Sequence, residues 1–353
     1  MKVLLLSTDS QIFNKASQVR ARILEYGKLF EELCVIVYTR PGEKEEKIGN
    51  ISLVPTNNRF RIGYFSRAIR LGKAIMKDGA GWVVSSQDPF ETGWVAYRLK
   101  KALRVSFQAQ IHTDFLSPFF IKESLKHRLR VLLAKWLIKK ADCIRVVSNR
   151  IKKSLVAFDS SMEKKITVLP IFVDKEVFWS ASSEPRELHN IGAGDTLVLT
   201  VARRAPEKNI ELANSIIGEL RSRGNKVLWF HLGYGPVDKA DINWLDTFIE
   251  NPASMAPYYK MADLFLLTSN YEGYGMAAVE AAAAGIPVVM TDVGVALGAT
   301  FPVGDKWKAV SIIEELIQNP EKRRKLVEKQ NELFKNWPTK EQYLEQFRKS
   351  LTF

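Results

Sequence analysis

Cysteine is nearly absent from this chain of 353 residues, which holds two, Cys34 and Cys143. They stand far apart without metal-ligand spacing, which excludes a disulfide framework or a zinc ribbon. Both read as small core hydrophobes in a reduced cytoplasm. Also missing is any run of about eighteen apolar residues, so no segment is expected to span a bilayer as a helix. The apolar opening Met1 to Leu6 is too short for a signal peptide and reads as a first strand. No Asp-x-Asp pair occurs, so that acidic means of holding a metal is lacking. There is no internal repeat and no low-complexity tract.

Acidic side chains are scarce in one half only. Residues 1–180 hold 32 Lys and Arg against 17 Asp and Glu, a net of +15; residues 181–353 hold 20 against 22, a net of −2. The two make up the formal net charge of +13. The length allows two domains with sizeable cores, and the charge boundary suggests where they divide. A basic first half points to an anionic partner.

Strand, loop, helix and strand follow one another over Lys2–Ser7, 9–16, 17–29 and 34–38, a βαβ unit and hence a parallel sheet. The first of these loops, Thr8 to Ser17, has no glycine. A basic helix is expected over 63–79, carrying Arg67, Arg70, Lys73 and Lys77, then strands over 82–86 and 105–112. The second of these ends in His112-Thr113-Asp114-Phe115, at the carboxyl end where open α/β sheets place ligands. Residues 117–140 stand out. Leu125, Leu129, Leu132, Leu133 and Trp136 make one apolar face, among Lys122, Lys126, Arg128, Arg130, Lys135, Lys139 and Lys140, with Phe119 and Phe120 just before. Such a helix suits an anionic membrane surface. The expectation is that the leucines pack inward while Phe119, Phe120, Lys122, Lys126 and Arg130 meet lipid or acceptor.

In the second half a buried-type strand, Thr196 to Val201, is followed by Ala202-Arg203-Arg204-Ala205-Pro206-Glu207-Lys208-Asn209. Cations at a strand's carboxyl end suit a diphosphate leaving group. Residues 227–232 form another strand, ending in Gly233-Tyr234-Gly235-Pro236; a short strand follows within 244–250, then a helix over 252–260. The chain is organised around the next stretch, Ala262 to Asp292. It reads as strand (264–267), polar glycine loop (Ser269 to Gly275), alanine-rich helix (276–284), glycine stop and strand (286–290). A glycine loop opening a helix offers free N–H groups at the positive end of the dipole, an anion site. Glu272 and Glu280, eight apart, add acceptors for the vicinal hydroxyls of a sugar or ribose.

This stretch resembles the signature of retaining glycosyltransferase family 4, a GT-B group that uses nucleotide sugars. The pattern stands here as Ser269-Asn270-Tyr271-Glu272-Gly273-Tyr274-Gly275, Glu280-Ala281, Ala283, Gly285 and Pro287-Val288-Val289. Arg203 and Lys208 keep the five-residue offset of the family's G-R-x-x-x-x-K, Gly233 to Pro236 match its G-x-G-P turn, and 166–178 resemble its interdomain crossing. The resemblance implies a GT-B fold of two facing Rossmann-like domains. Residues 1–172 would bind acceptor, 173–337 would bind the nucleotide sugar, and 338–353 would return as a helix to the first domain. It further implies that Glu280 holds ribose and that Glu272 holds the sugar hydroxyls. Gly273, Tyr274, Gly275, Met276 and Ala277 would line sugar and phosphate, with Gly233 and Phe248 near the nucleotide. Arg203 and Lys208 would stabilise the departing diphosphate, with Arg204 as the alternative if the register differs by one. His112 matches the family's active-site histidine near the donor sugar. No cofactor or metal is implied, only a UDP- or GDP-linked sugar as co-substrate. The expected activity is retaining transfer of a hexose to a lipid-linked or surface-glycan acceptor, at the cytoplasmic face of the cell membrane. A nucleotide-sugar epimerase and an inactive sugar-nucleotide- or glycan-binding homologue remain alternatives. Nucleic-acid binding leaves the glutamate motif without a role.

Overall fold

The computed structural model describes residues 1–233, 247–250 and 254–352; within 247–250, only the side chain of Ile249 is described. The chain divides into two compact units, Met1–Pro170 with Thr339–Phe353, and Ile171–Pro338.

The first unit holds strands β1 (Lys2–Ser7), β2 (Glu32–Val37), β3 (Glu46–Ile48), β4 (Ile51–Pro55), β5 (Trp82–Ser86), β6 (Ser106–Ile111), β7 (Cys143–Val146) and β8 (Ile166–Val168). They form one sheet in the order β3-β4-β2-β1-β5-β6-β7-β8. Every pairing is parallel except β3 with β4, an antiparallel hairpin. Its helices are α1 (Gln18–Gly27), α2 (Arg61–Met76), α3 (Glu91–Leu103), α4 (Pro118–Glu123), α5 (Leu125–Lys140) and α6 (Asn149–Phe158). Residues Val3 to Leu6 and Leu33 to Val37 are buried throughout, as parallel strands covered on both faces require.

The second unit holds α7 (Lys175–Trp179), β9 (Thr196–Val201), α8 (Ile210–Ser222), β10 (Val227–Gly233), β11 (Thr247–Glu250), α9 (Ala256–Met261), β12 (Leu264–Leu267), α10 (Met276–Ala283), β13 (Val288–Thr291), β14 (Ala299–Phe301), α11 (Lys306–Gln318) and α12 (Pro320–Asn331). Among the described residues its six strands are parallel in the order β11-β10-β9-β12-β13-β14. Val198, Trp229, Leu264, Leu266 and Val289 from the sheet pack on Ile216, Ile217 and Leu220 of α8 and on Val310 and Ile313 of α11. The last helix, α13 (Lys340–Lys349), belongs to the first unit. Phe347 stacks on Tyr26 at 4.1 Å, and the hydroxyls of Tyr26 and Tyr343 lie 3.2 Å apart.

Residues 117–140 depart from expectation. They form two helices, broken at Ser124, whose hydroxyl accepts from the His127 N–H at 3.1 Å and starts α5. The core face of α5 is Val131, Ala134, Leu137 and Ile138. The leucine stripe instead faces out: Leu125 is 75% exposed, Leu129 68%, Leu132 65% and Trp136 41%. Two apolar stripes lie on roughly opposite sides of this helix, and the one with the smaller residues is buried, where α5 packs beside α3. The expectation for Phe120 is also corrected. It is buried, stacked on Phe90 and on the His127 ring, so it cannot meet lipid. Arg130 is half-buried and held by Glu91, with its guanidinium over Phe90. Among the described residues no helix is long and apolar enough to cross a membrane.

Candidate functional site

The site of the second unit arises from strand order. β12 lies beside β9, so the loops leaving their carboxyl ends, 202–209 and 268–275, run side by side. Thr268 Oγ1 ties them by donating to the carbonyls of Lys208 and Asn209 at 3.1 and 3.0 Å. The Asn270 N–H donates to the Glu207 carbonyl at 2.7 Å. These tethers bring Lys208 and Glu272, 64 residues apart in sequence, into an ion pair of 2.6 Å. Ser269 Oγ donates to the same oxygen, Oε1, at 2.7 Å. With two donors on Oε1, Oε2 is the carboxylate oxygen left to accept from a ligand.

Gly275 opens α10 with φ of +90°, a left-handed conformation that glycine adopts without strain, and it sets the first N–H groups of the helix outward. Met276 and Ala277 occupy that first turn, half-buried, while Gly273 and Tyr274 are buried in the loop before it. The loop is backed by residues 293–295. The Val295 N–H donates to the Tyr274 carbonyl at 3.0 Å, and a Cβ on Gly294 would lie 2.4 Å from that carbonyl oxygen. Glycine 294 is therefore required for this contact. The result is an N-terminal helix turn with its positive dipole end beside a lysine and a held carboxylate, an arrangement that can bind an anion and a hydroxyl together.

Glu280 sits one turn deeper, mostly buried, with Tyr259 of α9 donating to its Oε2 at 2.9 Å. Burial pushes its carboxyl above the usual range and the tyrosine bond partly opposes this. Arg203 does not join Lys208 and Glu272. Its side chain is 66% exposed and pairs with Glu207 four residues on. Gly233 ends β10, buried; Tyr234, Gly235 and Pro236 lie outside the described residues, as does the Phe248 side chain, although the Phe248 backbone pairs with His231 in β10–β11. Sequence reasoning missed Tyr259 and His231. The His231 ring, fully buried, meets the Ala202 carbonyl at 2.7 Å and so braces the cation loop from below. Only a loose signal marked them, since each is one polar residue in an apolar or turn segment.

In the first unit His112 follows β6, and its Nε2 lies 3.1 Å from Gln110 Oε1. Phe119 is exposed, and Lys122 and Lys126 are exposed on α4 and α5.

Two α/β units, each built on a largely or wholly parallel sheet, define the class of GT-B folds. Comparison with known proteins agrees. The model of Glycosyltransferase Family 4 matches residues 30–177 and that of Glycosyl transferases group 1 matches 182–333. The chain belongs to the group 1 glycosyltransferases of GT-B fold. It is 25% identical over 327 residues to an uncharacterised glycosyltransferase of Methanocaldococcus jannaschii, covering 87% of this chain and 86% of that one. It is 24% identical over 251 residues to the alpha-monoglucosyldiacylglycerol synthase of Streptococcus pneumoniae, covering 66% of this chain but only 56% of that protein. Among solved structures, Anabaena HepE in complex with UDP and glucose superposes with a TM-score of 0.75 at 14% identity, over 99% of each chain. The sucrose-phosphate synthase of Thermosynechococcus elongatus also gives 0.75, at 17% identity over 98% and 97%.

Proposed function

We propose that this protein transfers a hexose, with retention of configuration, from a nucleotide-diphosphate sugar to a lipid-linked or surface-glycan acceptor at an anionic membrane. The observation that carries the donor half is the Lys208–Glu272–Ser269 cluster beside the N-terminus of α10. Glu272 Oε2 accepts from sugar hydroxyls, Glu280 from ribose, and the first N–H groups of α10 meet phosphate. The bond between the anomeric carbon and the diphosphate oxygen breaks, and the acceptor hydroxyl oxygen bonds to the same face of that carbon. Its proton passes to the departing phosphate, whose growing charge Lys208 and Arg203 stabilise without a dedicated metal. Arg203 would leave Glu207 for the phosphate on binding.

The acceptor half rests on α5. Its outward stripe of Leu125, Leu129, Leu132 and Trp136 is flanked by Lys126, Arg128, Lys139 and Lys140, all exposed. Each basic side chain near an anionic leaflet contributes about 1 kcal/mol, and apolar insertion adds to it. One relative is named for a glucosyldiacylglycerol, a glycolipid. The position is the cytoplasmic face of the cell membrane.

The test is a thermal-shift panel of UDP, GDP, ADP and their sugar conjugates on wild type and Glu280→Ala. A ligand at one hundred times its Kd stabilises by about 2.7 kcal/mol, well within detection. One nucleotide class should raise Tm in the wild type and not in the variant. No shift with any of them would favour an inactive homologue, and a shift retained by Glu280→Ala would displace the site.

A further inference from the structure

Ile62 and Phe60 are among the most exposed large apolar side chains described, at 82% and 70%. An exposed apolar side chain alone means little, but these two stand together at one built corner. The chain leaves β4 at Pro55 and enters α2 at Arg61, and the connection between them is tied down. The Asn58 N–H donates to the Thr39 carbonyl at 3.0 Å, and Asn58 Oδ1 accepts from the Phe60 N–H at 3.1 Å. Phe60 takes the N-cap position, where Ser, Thr, Asn or Asp ordinarily serves, without a side chain that can cap. Neither the core nor the helix start therefore accounts for this pair. Arg59 and Arg61 alternate with them, exposed, and the outward side of α2 continues with Arg67, Arg70 and Lys73, with Lys77 at its end. No acidic residue of α2 opposes these charges.

Topology sets the corner on the same layer as α5. Helices α2, α3 and α5 pack in that order, as successive right-handed crossovers over one face of the sheet. Each follows the carboxyl end of one strand and leads back to the amino end of another, so all three start at the same edge. With neighbouring helices about 10 Å apart, the α2 corner lies roughly 20 Å across from Leu125 at the start of α5. Between them Trp94 and Tyr97 of α3 meet Trp136 of α5, with ring centroids 6.0 and 4.8 Å apart. Arg98 and Lys140 lie over the rings of Trp94 and Trp136. The one acid of α3, Glu91, is held by Arg130, and α5 has none. Apolar points, interfacial aromatics and unopposed cations on one helix layer match a flat anionic bilayer.

We infer that the first unit has a second membrane anchor at this corner. Phe60 and Ile62 enter the acyl boundary, while Arg59, Arg61 and the basic side of α2 meet lipid phosphates. This goes beyond the α5 contact of the proposed function and rests on its membrane reading. Two linked contacts about 20 Å apart reinforce one another and fix how the first unit lies on the bilayer. A single helix would leave it free to roll.

The test uses the whole protein. Cys34 and Cys143 are both buried, so a dye will reach an introduced cysteine in preference to them. Ile62→Cys, Leu132→Cys and, as a solvent control in the second unit, Ser222→Cys each receive an environment-sensitive NBD group. Vesicles of phosphatidylglycerol and phosphatidylcholine are added, with and without doxyl-labelled acyl chains. The expected result is a severalfold rise in emission at 62 and at 132, quenched by the doxyl lipid, and none at 222. Pure phosphatidylcholine should give little of either. Phe60→Ser with Ile62→Ser should weaken vesicle binding severalfold and leave the nucleotide thermal shift unchanged. A label quenched at 132 and not at 62 overturns the second anchor and leaves the α5 contact standing. Labels quenched at neither position overturn the membrane reading along with it. A label at 62 shielded before lipid is added, in a protein of doubled mass, overturns the anchor in favour of a second copy of the chain.

Discussion

Burial and the Arg145 guanidinium, with a smaller effect from Arg22, hold the His112 imidazole down to a pKa of about 3. The unfolded chain protonates near 6.5, so below that pH it binds a proton that the folded form refuses. Stability is therefore lost as pH falls from about 6.5 toward 3. Discounted for the part of the ring open to solvent, the loss from pH 7 to pH 5 is about 1–2 kcal/mol. Wild type should lose that much more stability than His112→Gln over the interval in denaturant melts at the two pH values. Equal losses would mean that His112 titrates normally. Tyr259 gives the second prediction at this scale. Its hydroxyl is buried and bonded to Glu280 at 2.9 Å, so Tyr259→Phe removes one charge-assisted bond, about 1.5–2 kcal/mol. Nucleotide Kd should rise roughly tenfold. An unchanged Kd by calorimetry would detach Tyr259 from the site. Neither partner was legible in sequence. The glutamates stand in a motif whose glycines and spacing are local, whereas Tyr259 and Gln110 act across elements that only the sheet brings together.

Among the elements, α5 shows why a pattern read correctly can still be placed the wrong way round. Leu125, Leu129, Leu132 and Trp136 have helical spacing, and so do Val131, Ala134, Leu137 and Ile138. Periodicity marks both stripes; which one is buried depends on how the crossover between β6 and β7 packs its helix, a tertiary fact. The strands that escaped notice, β3, β4, β8 and β14, are three to five residues long, too short for a period to declare itself. The long apolar strands and the glycine-stopped α10 were legible because burial on both faces and helix propensity leave their mark residue by residue. For α5 the consequence is a separation of effects. Leu129→Glu with Leu132→Glu changes exposed side chains and should alter stability by under about 0.5 kcal/mol each. Sedimentation with anionic vesicles should nonetheless fall severalfold. Leu137→Ala, on the buried face, should cost about 2–4 kcal/mol and leave vesicle binding of the folded protein unchanged. Undiminished sedimentation of the double glutamate variant would remove α5 from the membrane.

At the scale of the whole chain the two units differ in how they are threaded. The second, 171–338, is one continuous segment, whereas the first takes its last helix from the far end of the sequence. That helix closes the core of the first unit. Phe347 stacks on Tyr26, Tyr343 receives a bond from Arg145, and the Ser350 carbonyl receives one from Gln108. Cutting after Pro338 would expose Tyr26 and leave buried donors on Arg145 and Gln108 without acceptors. Each such donor costs about 1–3 kcal/mol, and the lost aromatic burial costs a similar amount again. The total rivals the 5–15 kcal/mol that holds an ordinary domain. A protein ending at Pro338 should therefore show one cooperative calorimetric transition in place of two. The surviving transition should still shift with the nucleotide that stabilises the full chain, since Lys208, Glu272 and Glu280 all lie within 171–338. The segment 171–338 made alone should give the same melt and the same shift. A truncated protein that keeps both transitions would show that the first unit's core closes without α13. Loss of the nucleotide shift from 171–338 alone would show that the donor site needs more of the chain than the cluster around α10.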